Sequence, residues 1–183
     1  MSPGISRRLL LTGALALAAQ RPAVGHTPYK QWDVYRRKHL LIGTCRADPE
    51  SYPLGKRLVA IITDAIPESH ARVTRARDQR RLASLITTGQ LELIVLRVDE
   101  AVRLARGEEP FAEFGPFPLR LLFAIGDRAL VCREDFPVRH AWLVSRALGE
   151  GYPAASGLAA AGQGELLLHP GASAYLAGEP TPE

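Results

Sequence analysis

The feature that most constrains this chain is the regular alternation of short apolar runs with segments of helical periodicity. Residues 39–45 are mostly apolar and flanked by turn residues, which is typical of a strand buried on both faces, and residues 91–98 form a second such run. Between and after these runs, apolar residues recur at three-to-four spacing, in units of about 25 to 35 residues. This alternation predicts an α/β fold with helices on both faces of a mostly parallel sheet.

Helix start and stop signals mark the boundaries of the predicted elements. Ser51, Asp78 and Asp99 are the expected N-terminal caps of three helices, and Gly89 and Gly107 end the second and third. A weaker strand is expected at 71–76. The apolar runs at 119–125 and 129–133 form either a hairpin or successive strands, and a further helix follows from residue 138.

The first 25 residues have a pattern of their own. Arg7 and Arg8 directly precede an apolar stretch that ends at Ala19 and is too short for a membrane anchor. Small residues at 16 and 18, or at 23 and 25, suit cleavage by a signal peptidase. We interpret residues 1–25 as a twin-arginine export signal and residues 26–183 as a single domain delivered in folded form to the bacterial periplasm.

Charge and cysteine content argue against several classes of protein. The chain has a formal net charge of +4, but three cations lie in the first 25 residues, so residues 26–183 carry only +1. That balance does not favour nucleic-acid binding. Two cysteines are too few for a disulfide-rich miniprotein. Because the strands that contain Cys45 and Cys132 are not expected to be neighbours, we predict that both are core thiols.

Four short motifs follow one another in an order found in a known family. They are Ile-Gly-Thr at 42–44, Tyr-Pro-Leu-Gly at 52–55, Leu-Ala-Ser-Leu-Ile-Thr-Thr-Gly-Gln-Leu-Glu-Leu at 82–93 and His-Pro-Gly-Ala at 169–172. In this order they resemble TAXI-type receptors, the periplasmic solute-binding subunits of some TRAP transporters. The resemblance covers most of residues 39–176. It implies the three-layer fold of one lobe of a type II periplasmic binding protein.

The chain departs from that family in two ways. Family members cross into a second lobe after the strand that matches residues 130–133, whereas here Asp135-Phe136-Pro137 leads straight into the returning helix. We therefore expect the second lobe to be missing. The loops that receive the ligand in the family are also altered at 45–50 and 75–78, so the family's ligand contacts do not transfer directly.

Eight side chains are expected at the carboxyl ends of the strands, where open parallel sheets bind ligands and helix N-termini favour anions. They are Thr44, Arg46, Ser51, Tyr52, Arg77, Gln79, Arg97 and Asp99. Thr44, Ser51 and Tyr52 match positions of the family's binding loop, and the three arginines suit a carboxylate, which predicts a small organic acid as ligand. In the alternative interpretation, the capping residues are only caps and the arginines are solvated.

The sequence contains no motif that indicates catalysis or a metal. The five histidines lack Cys, Asp or Glu partners at ligand spacing, and neither a nucleophile elbow nor a phosphate-binding glycine loop is present. His169 is expected to orient a turn or, in a second reading, to border the pocket. Cys45 is either a thiol of lowered pKa or, as we expect, a structural cysteine. We predict no enzymatic activity, no metal and no cofactor.

The sequence leaves two functions as alternatives, with an enzyme as the third. One is a receptor for a small organic anion in TRAP-type uptake or sensing, and the other is an accessory protein that uses the lobe to contact another protein. Without a second lobe, we expect an exposed apolar patch involving Phe111, Phe114, Phe117 and Phe136. The functional unit is then a homo-oligomer or a complex with TRAP membrane subunits or another periplasmic protein, and an isolated lobe binds its ligand only weakly.

Overall fold

The computed structural model describes residues 38–152 and 166–183 of the chain. The predicted export signal at 1–25 lies outside the described residues. The helices and strands are β1 Leu41–Cys45, α1 Ser51–Ala65, β2 Arg72–Ala76, α2 Gln79–Thr87, β3 Leu93–Arg97, α3 Val98–Arg106, β4 Leu119–Ile125, β5 Arg128–Arg133, α4 Val138–Gly151 and α5 Pro170–Leu176. Short 3₁₀ turns lie at Pro67–Ser69 and Ala112–Phe114.

The five strands form one open sheet in the order β2-β1-β3-β5-β4. β1 pairs in parallel with both β2 and β3, while β5 is antiparallel to β3 and to β4. Four strands therefore point the same way, and only β5 runs in the opposite direction. The chain moves outward from β1 to β2 and then returns to β3 on the other side of β1, which places a topological switch point between β1 and β3.

Helices cover both faces of this sheet, as the alternation of strand and helix predicts. Leu93 and Val95 belong to the core cluster that contains α1 and α4, whereas Ile94 and Leu96 belong to the cluster that contains α2 and α3. Successive strand residues point to opposite faces, so β3 contributes to both cores. The α/β class is confirmed.

The expectation of a mostly parallel sheet is not confirmed, because two of the four strand pairs are antiparallel. The cause is the connection after β4. Only Gly126 and Asp127 separate β4 from β5, and Gly126 has a φ of 58°, a left-handed conformation that glycine adopts without strain. A connection this short allows only an antiparallel hairpin, which decides between the two arrangements that the sequence left open.

The expected helix caps are partly confirmed. Asp78 caps α2, since its Oδ1 accepts a hydrogen bond from the backbone N–H of Arg81 at 2.7 Å. Ser51 is wrong as a cap because it lies inside the first turn of α1 and its hydroxyl bonds back to Cys45. Asp99 is also wrong, because α3 begins at Val98 and the side chain that accepts a backbone N–H from Arg97 belongs to Glu100.

The expected exposed phenylalanine patch is not present. Phe111 and Phe136 are buried in the two cores, and Phe114 and Phe117 are half-buried against the core on the α2 and α3 side. The loop between α3 and β4 folds back over this face, as the hydrogen bond from Phe117 N–H to Ala105 C=O shows. These side chains therefore fill the interior rather than form a surface.

Cys45 and Cys132 are both free and buried, which confirms that they are core thiols. They lie on β1 and β5, and β3 separates these two strands in the sheet. In the part of the chain that the structure describes, no helix is long and apolar enough to cross a membrane.

Candidate functional site

Four arginines lie together at the end of the sheet where the carboxyl ends of the parallel strands meet. Cys45 pairs with Ala76, so Arg46 and Arg77 directly follow paired residues. β1 lies between β2 and β3, and Arg97 is the last residue of β3, so in the order of the strand ends Arg46 lies between Arg77 and Arg97. Arg97 in turn pairs with Arg128 across the antiparallel β3–β5 ladder. The four residues therefore form a row, in strand order, across the carboxyl ends of β2, β1 and β3 and the start of β5. This row includes the switch point at which open α/β sheets bind ligands.

Thr44 and Ser51, two of the predicted site residues, hold the loop after β1 in place. The Thr44 hydroxyl is buried and donates to the C=O of Thr74 at 2.8 Å. The Ser51 hydroxyl is also buried, donates to the C=O of Cys45 and accepts from the N–H of Cys45, both at 2.9 Å. Both hydroxyls are occupied by backbone partners, so they shape the loop that carries Arg46.

The same loop is anchored by an ion pair that the sequence analysis missed. Arg128 donates to both carboxylate oxygens of Asp48, at 3.1 and 2.9 Å, and lies 2.8 Å from Glu50 and 2.7 Å from Asp127. The side chains of Asp48 and Arg128 are only 10% and 14% exposed. They are 80 positions apart in the sequence, and neither residue belongs to a motif that would have connected them.

This ion pair controls the charge state of Asp48. Burial by itself raises the pKa of the Asp48 carboxyl, but the hydrogen bonds and charge of Arg128, with the backbone N–H groups of Glu50 and Ser51, outweigh it. The net pKa of Asp48 is below its ordinary value. Asp48 therefore stays ionised and keeps the loop closed onto the β4–β5 hairpin.

Arg97 and Asp99, two further predicted site residues, form an ion pair with one another. Arg97 Nε lies 3.3 Å from Asp99 and 3.9 Å from Asp127. The α3 N-terminus is tied to the hairpin turn because Val98 N–H donates to the C=O of Asp127 at 2.8 Å. Burial raises the pKa of the neighbouring Glu100 carboxyl. The guanidinium of Arg97 is thus already balanced by carboxylates of the chain.

The remaining predicted site residues lie near the carboxyl end of β2. They are Arg77, Gln79 and Tyr52. Arg77 is 84% exposed on its side chain and pairs with Asp78 at 2.8 Å. Gln79 is the first residue of α2. The ring of Tyr52 is covered by the guanidinium of Arg75, 4.3 Å from the ring centroid, so its face is partly occupied. An open hollow of about 570 Å³ lies beside them, lined by three arginines that include Arg75 and Arg77.

Arg46 differs from the other arginines of the row. Its side chain is exposed at the centre of the row, and the structure gives it no ion pair among residues 38–152 and 166–183. The backbone N–H of Arg46 donates to the C=O of Ala76 at 2.9 Å, which fixes the position of the residue against β2. Arg46 is therefore the guanidinium at this end of the sheet that is best placed to bind an added carboxylate.

A second cleft, which the sequence analysis did not anticipate, lies at the opposite end of the sheet, where β1 begins. It measures about 610 Å³ and is lined by the chain entering β1, the end of α1 and the start of α4. Leu40, Ile66 and Val144 form its apolar part, and His39 and His140 are among its polar residues. The histidines gave no metal-ligand spacing in the sequence, and among the described residues no group of His, Cys, Asp and Glu is arranged to hold a metal ion.

His169 orients the turn that begins α5, as predicted. Its ring is buried, its Nδ1 accepts from the N–H of Gly171 at 3.1 Å, and its Nε2 lies 2.9 Å from the C=O of Phe136. These partners fix the tautomer with the proton on Nε2. Burial lowers the pKa of His169, so the ring is neutral and structural.

The two thiols are poorly suited to nucleophilic chemistry. Burial raises the pKa of Cys45 and of Cys132, because a thiolate is disfavoured away from water. The alternative of a Cys45 thiol with a lowered pKa is therefore wrong.

No protein-family model matches this chain, and no significant match was found among the curated proteins.

Proposed function

We propose that this protein is a single-lobed, TAXI-like solute-binding protein of the bacterial periplasm that binds a small organic anion. The motif resemblance supports this proposal, as does an α/β sheet whose switch point carries a row of arginines. In this proposal residues 1–25 direct export by the twin-arginine route, and the lobe serves TRAP-type uptake or sensing rather than catalysis. The placement of Arg46 between Arg77 and Arg97 is the single observation that carries it.

The proposed ligand is a carboxylate held mainly by Arg46 and Arg77. Arg46 has no carboxylate partner among the described residues, and the partner of Arg77, Asp78, is engaged in capping α2. A carboxylate between two guanidinium groups accepts several charge-assisted hydrogen bonds. Arg97 contributes less, because Asp99 and Asp127 already neutralise its charge.

The connection between β5 and α4 bears on the expected affinity. Residues 134–137 alone join these two elements, so no lobe is inserted there to cover the arginine row. A ligand on an open shelf stays partly hydrated, whereas good small-molecule sites bury about 70 to 90% of the ligand surface. We expect a dissociation constant on the order of millimolar, which corresponds to about −4 kcal/mol.

The alternative function, an accessory module that contacts another protein, is favoured by a different observation. Strand β2 is an outer strand of the sheet, and arginines occupy both it and the following turn. That surface includes Arg77 but not Arg46.

Thermal unfolding in the presence of small acids tests the proposed ligand site. Succinate, citrate and glutamate are each added at matched ionic strength, with sodium chloride as the reference. A bound acid at about ten times its dissociation constant stabilises the fold by about 1.4 kcal/mol, which raises Tm by roughly 3 to 6 °C. Arg46→Ala is expected to abolish this increase.

Arg139→Ala is the matched control. Arg139 is also exposed, but it lies in the first turn of α4, at the end of the sheet opposite the arginine row. The control variant should keep the full increase in Tm. The proposal is wrong if none of the acids raises Tm, or if the increase is the same in Arg46→Ala and in the unmodified protein.

A further inference from the structure

Among residues 38–152 and 166–183, one side of the backbone of β2 has no hydrogen-bond partner. The N–H of Arg72 donates to Leu40 and the C=O of Ala76 accepts from Arg46, so these residues direct their backbone groups toward β1. Backbone groups alternate in direction along a strand, so Val73 and Arg75 direct theirs away from β1. Among the described residues no group bonds to these outward N–H and C=O groups. The open side of β2, together with residues 77–81, is called the β2 edge below.

The β2 edge concentrates positive charge. Residues 72–81 contain five arginines and one aspartate, a net charge of +4 that equals the formal net charge of the whole chain. Residues 26–183 carry a net charge of +1, so residues 26–71 and 82–183 together carry −3. An outer strand with arginine side chains resists pairing with a like-charged strand, and it attracts an acidic one.

Three of the arginines surround the open hollow of about 570 Å³ at the end of β2. They are Arg75, Arg77 and Arg81, and Ala76 and Leu85 complete the lining. Arg75 is stacked on the ring of Tyr52, which holds its guanidinium in place. Arg75 and Arg81 have no carboxylate partner among the described residues, so both remain available to an added acid.

These features select one kind of occupant. A second copy of the chain would place its own β2 arginines against these, which like-charge repulsion opposes. A membrane surface would favour exposed aromatic or large apolar side chains beside the arginines, and residues 72–81 contain none that are exposed. Open backbone groups flanked by guanidinium groups fit an extended polypeptide with carboxylate side chains.

We propose that the β2 edge binds an extended acidic segment of a partner protein as a sixth strand. The outward backbone groups of Val73 and Arg75 pair with the main chain of the segment. The guanidinium groups of Arg75, Arg77 and Arg81 receive its carboxylates. This surface shares Arg77 with the proposed small-acid site, whereas the open backbone groups of β2 and the side chains of Arg75 and Arg81 belong to this surface alone.

Hydrogen exchange with a designed peptide tests the pairing directly. The probe is a short acetylated peptide of Thr-Glu-Glu repeats, which presents carboxylates on both faces of an added strand, and the matched peptide has Gln in place of each Glu. When the Glu peptide is present at about nine times its dissociation constant, exchange of the Val73 and Arg75 amides should slow about tenfold. The Thr74 amide, which already points toward β1, should change little.

Charge reversal on α2 tests the arginine contacts. Arg81 is exposed on α2. Because Arg81→Glu replaces an attractive charge by a repulsive one, it should weaken binding of the Glu peptide by at least about tenfold. Arg139→Glu is the matched control at the opposite end of the sheet and should leave the affinity within about twofold. Arg75→Pro and Arg75→Ala both remove the guanidinium, but only the proline variant also removes the outward N–H. An outer strand tolerates proline, so the proline variant should fold and should bind the peptide more weakly than the alanine variant.

Several results would overturn the proposal. They are equal affinity of the Glu and Gln peptides, equal effects of Arg81→Glu and Arg139→Glu, and peptide binding without protection of Val73 and Arg75. Binding of phosphatidylglycerol vesicles or polyphosphate that is lost in Arg81→Glu, with no peptide binding, would assign the face to a different partner. Arg46→Ala should not affect the peptide, so failure here is distinguishable from failure of the small-acid site.

Discussion

The ion pair between Asp48 and Arg128 is expected to stabilise the fold as well as the loop that carries Arg46. Asp48→Asn keeps the shape of the side chain but removes its charge. It also loses one of the two charge-assisted bonds that Arg128 donates to the carboxylate at 3.1 and 2.9 Å. Arg128 retains Glu50 and Asp127 as partners, which limits the loss. We expect the free energy of unfolding to fall by about 2 to 3 kcal/mol.

Removal of the cation should cost more than removal of the anion. Arg128→Met keeps the apolar stem but leaves the carboxylate of Asp48, only 10% exposed, without its guanidinium, and we expect a loss of about 3 to 5 kcal/mol. The double variant should be less destabilised than the two single effects added together, by about 1 to 3 kcal/mol. Urea unfolding followed by circular dichroism measures all four proteins.

The pH dependence gives an independent check. Because the folded-state pKa of Asp48 is below the unfolded value of about 3.9, its contribution is fully present above that pH and is lost as the pH falls through the folded pKa. The stability difference between the unmodified protein and Asp48→Asn should therefore shrink below about pH 4.

Asp64→Asn is the matched control, because Asp64 is exposed on α1 and has no ion pair among the described residues. It should stay within about 0.5 kcal/mol of the unmodified protein. At neutral pH, Asp48→Asn should lower Tm by roughly 5 to 10 °C. A loss for Asp48→Asn no larger than that of the control, or additive effects in the double variant, would refute the reasoning.

Three further predictions concern groups outside this ion pair. Burial holds the folded-state pKa of His169 below its unfolded value, so its contribution is present above about pH 6.5 and is lost at lower pH; urea unfolding at pH 7 and pH 5 should show this loss in the unmodified protein and a smaller one in His169→Gln. Cys45 and Cys132 should not react with iodoacetamide in the folded protein and should both react in urea, as mass spectrometry reads out; a disulfide between them would contradict the fold. Changing Arg7 and Arg8 together to Lys should retain the full-length precursor in the cytoplasm, detected by fractionation and immunoblot; continued export and trimming would show that the twin-arginine interpretation is wrong.

Local signals in the sequence were sufficient to locate most of the elements. Helix periodicity, the Asp78 cap and the glycines after α2 and α3 act within one or two turns of chain, so their effect is visible in a short window. The burial of the strand runs was equally readable, because a strand covered by helices on both faces has no polar alternation. The turn-forming role of His169 was only partly readable from local sequence. One of its partners, Gly171, is two residues away, but the other, the C=O of Phe136, is distant in the sequence.

The tertiary structure decided how the strands are ordered and which charges meet. The position of β5 between β3 and β4 reverses one strand of the sheet and puts Arg128 next to Arg97. The pairing of Arg128 with Asp48 joins residues 80 positions apart, so no local pattern contained it. The sequence by itself therefore determined the elements and the supply of arginines at the strand ends. Only the folded chain determined which guanidinium groups its own carboxylates neutralise and which remain available, because that depends on distances between residues remote in sequence.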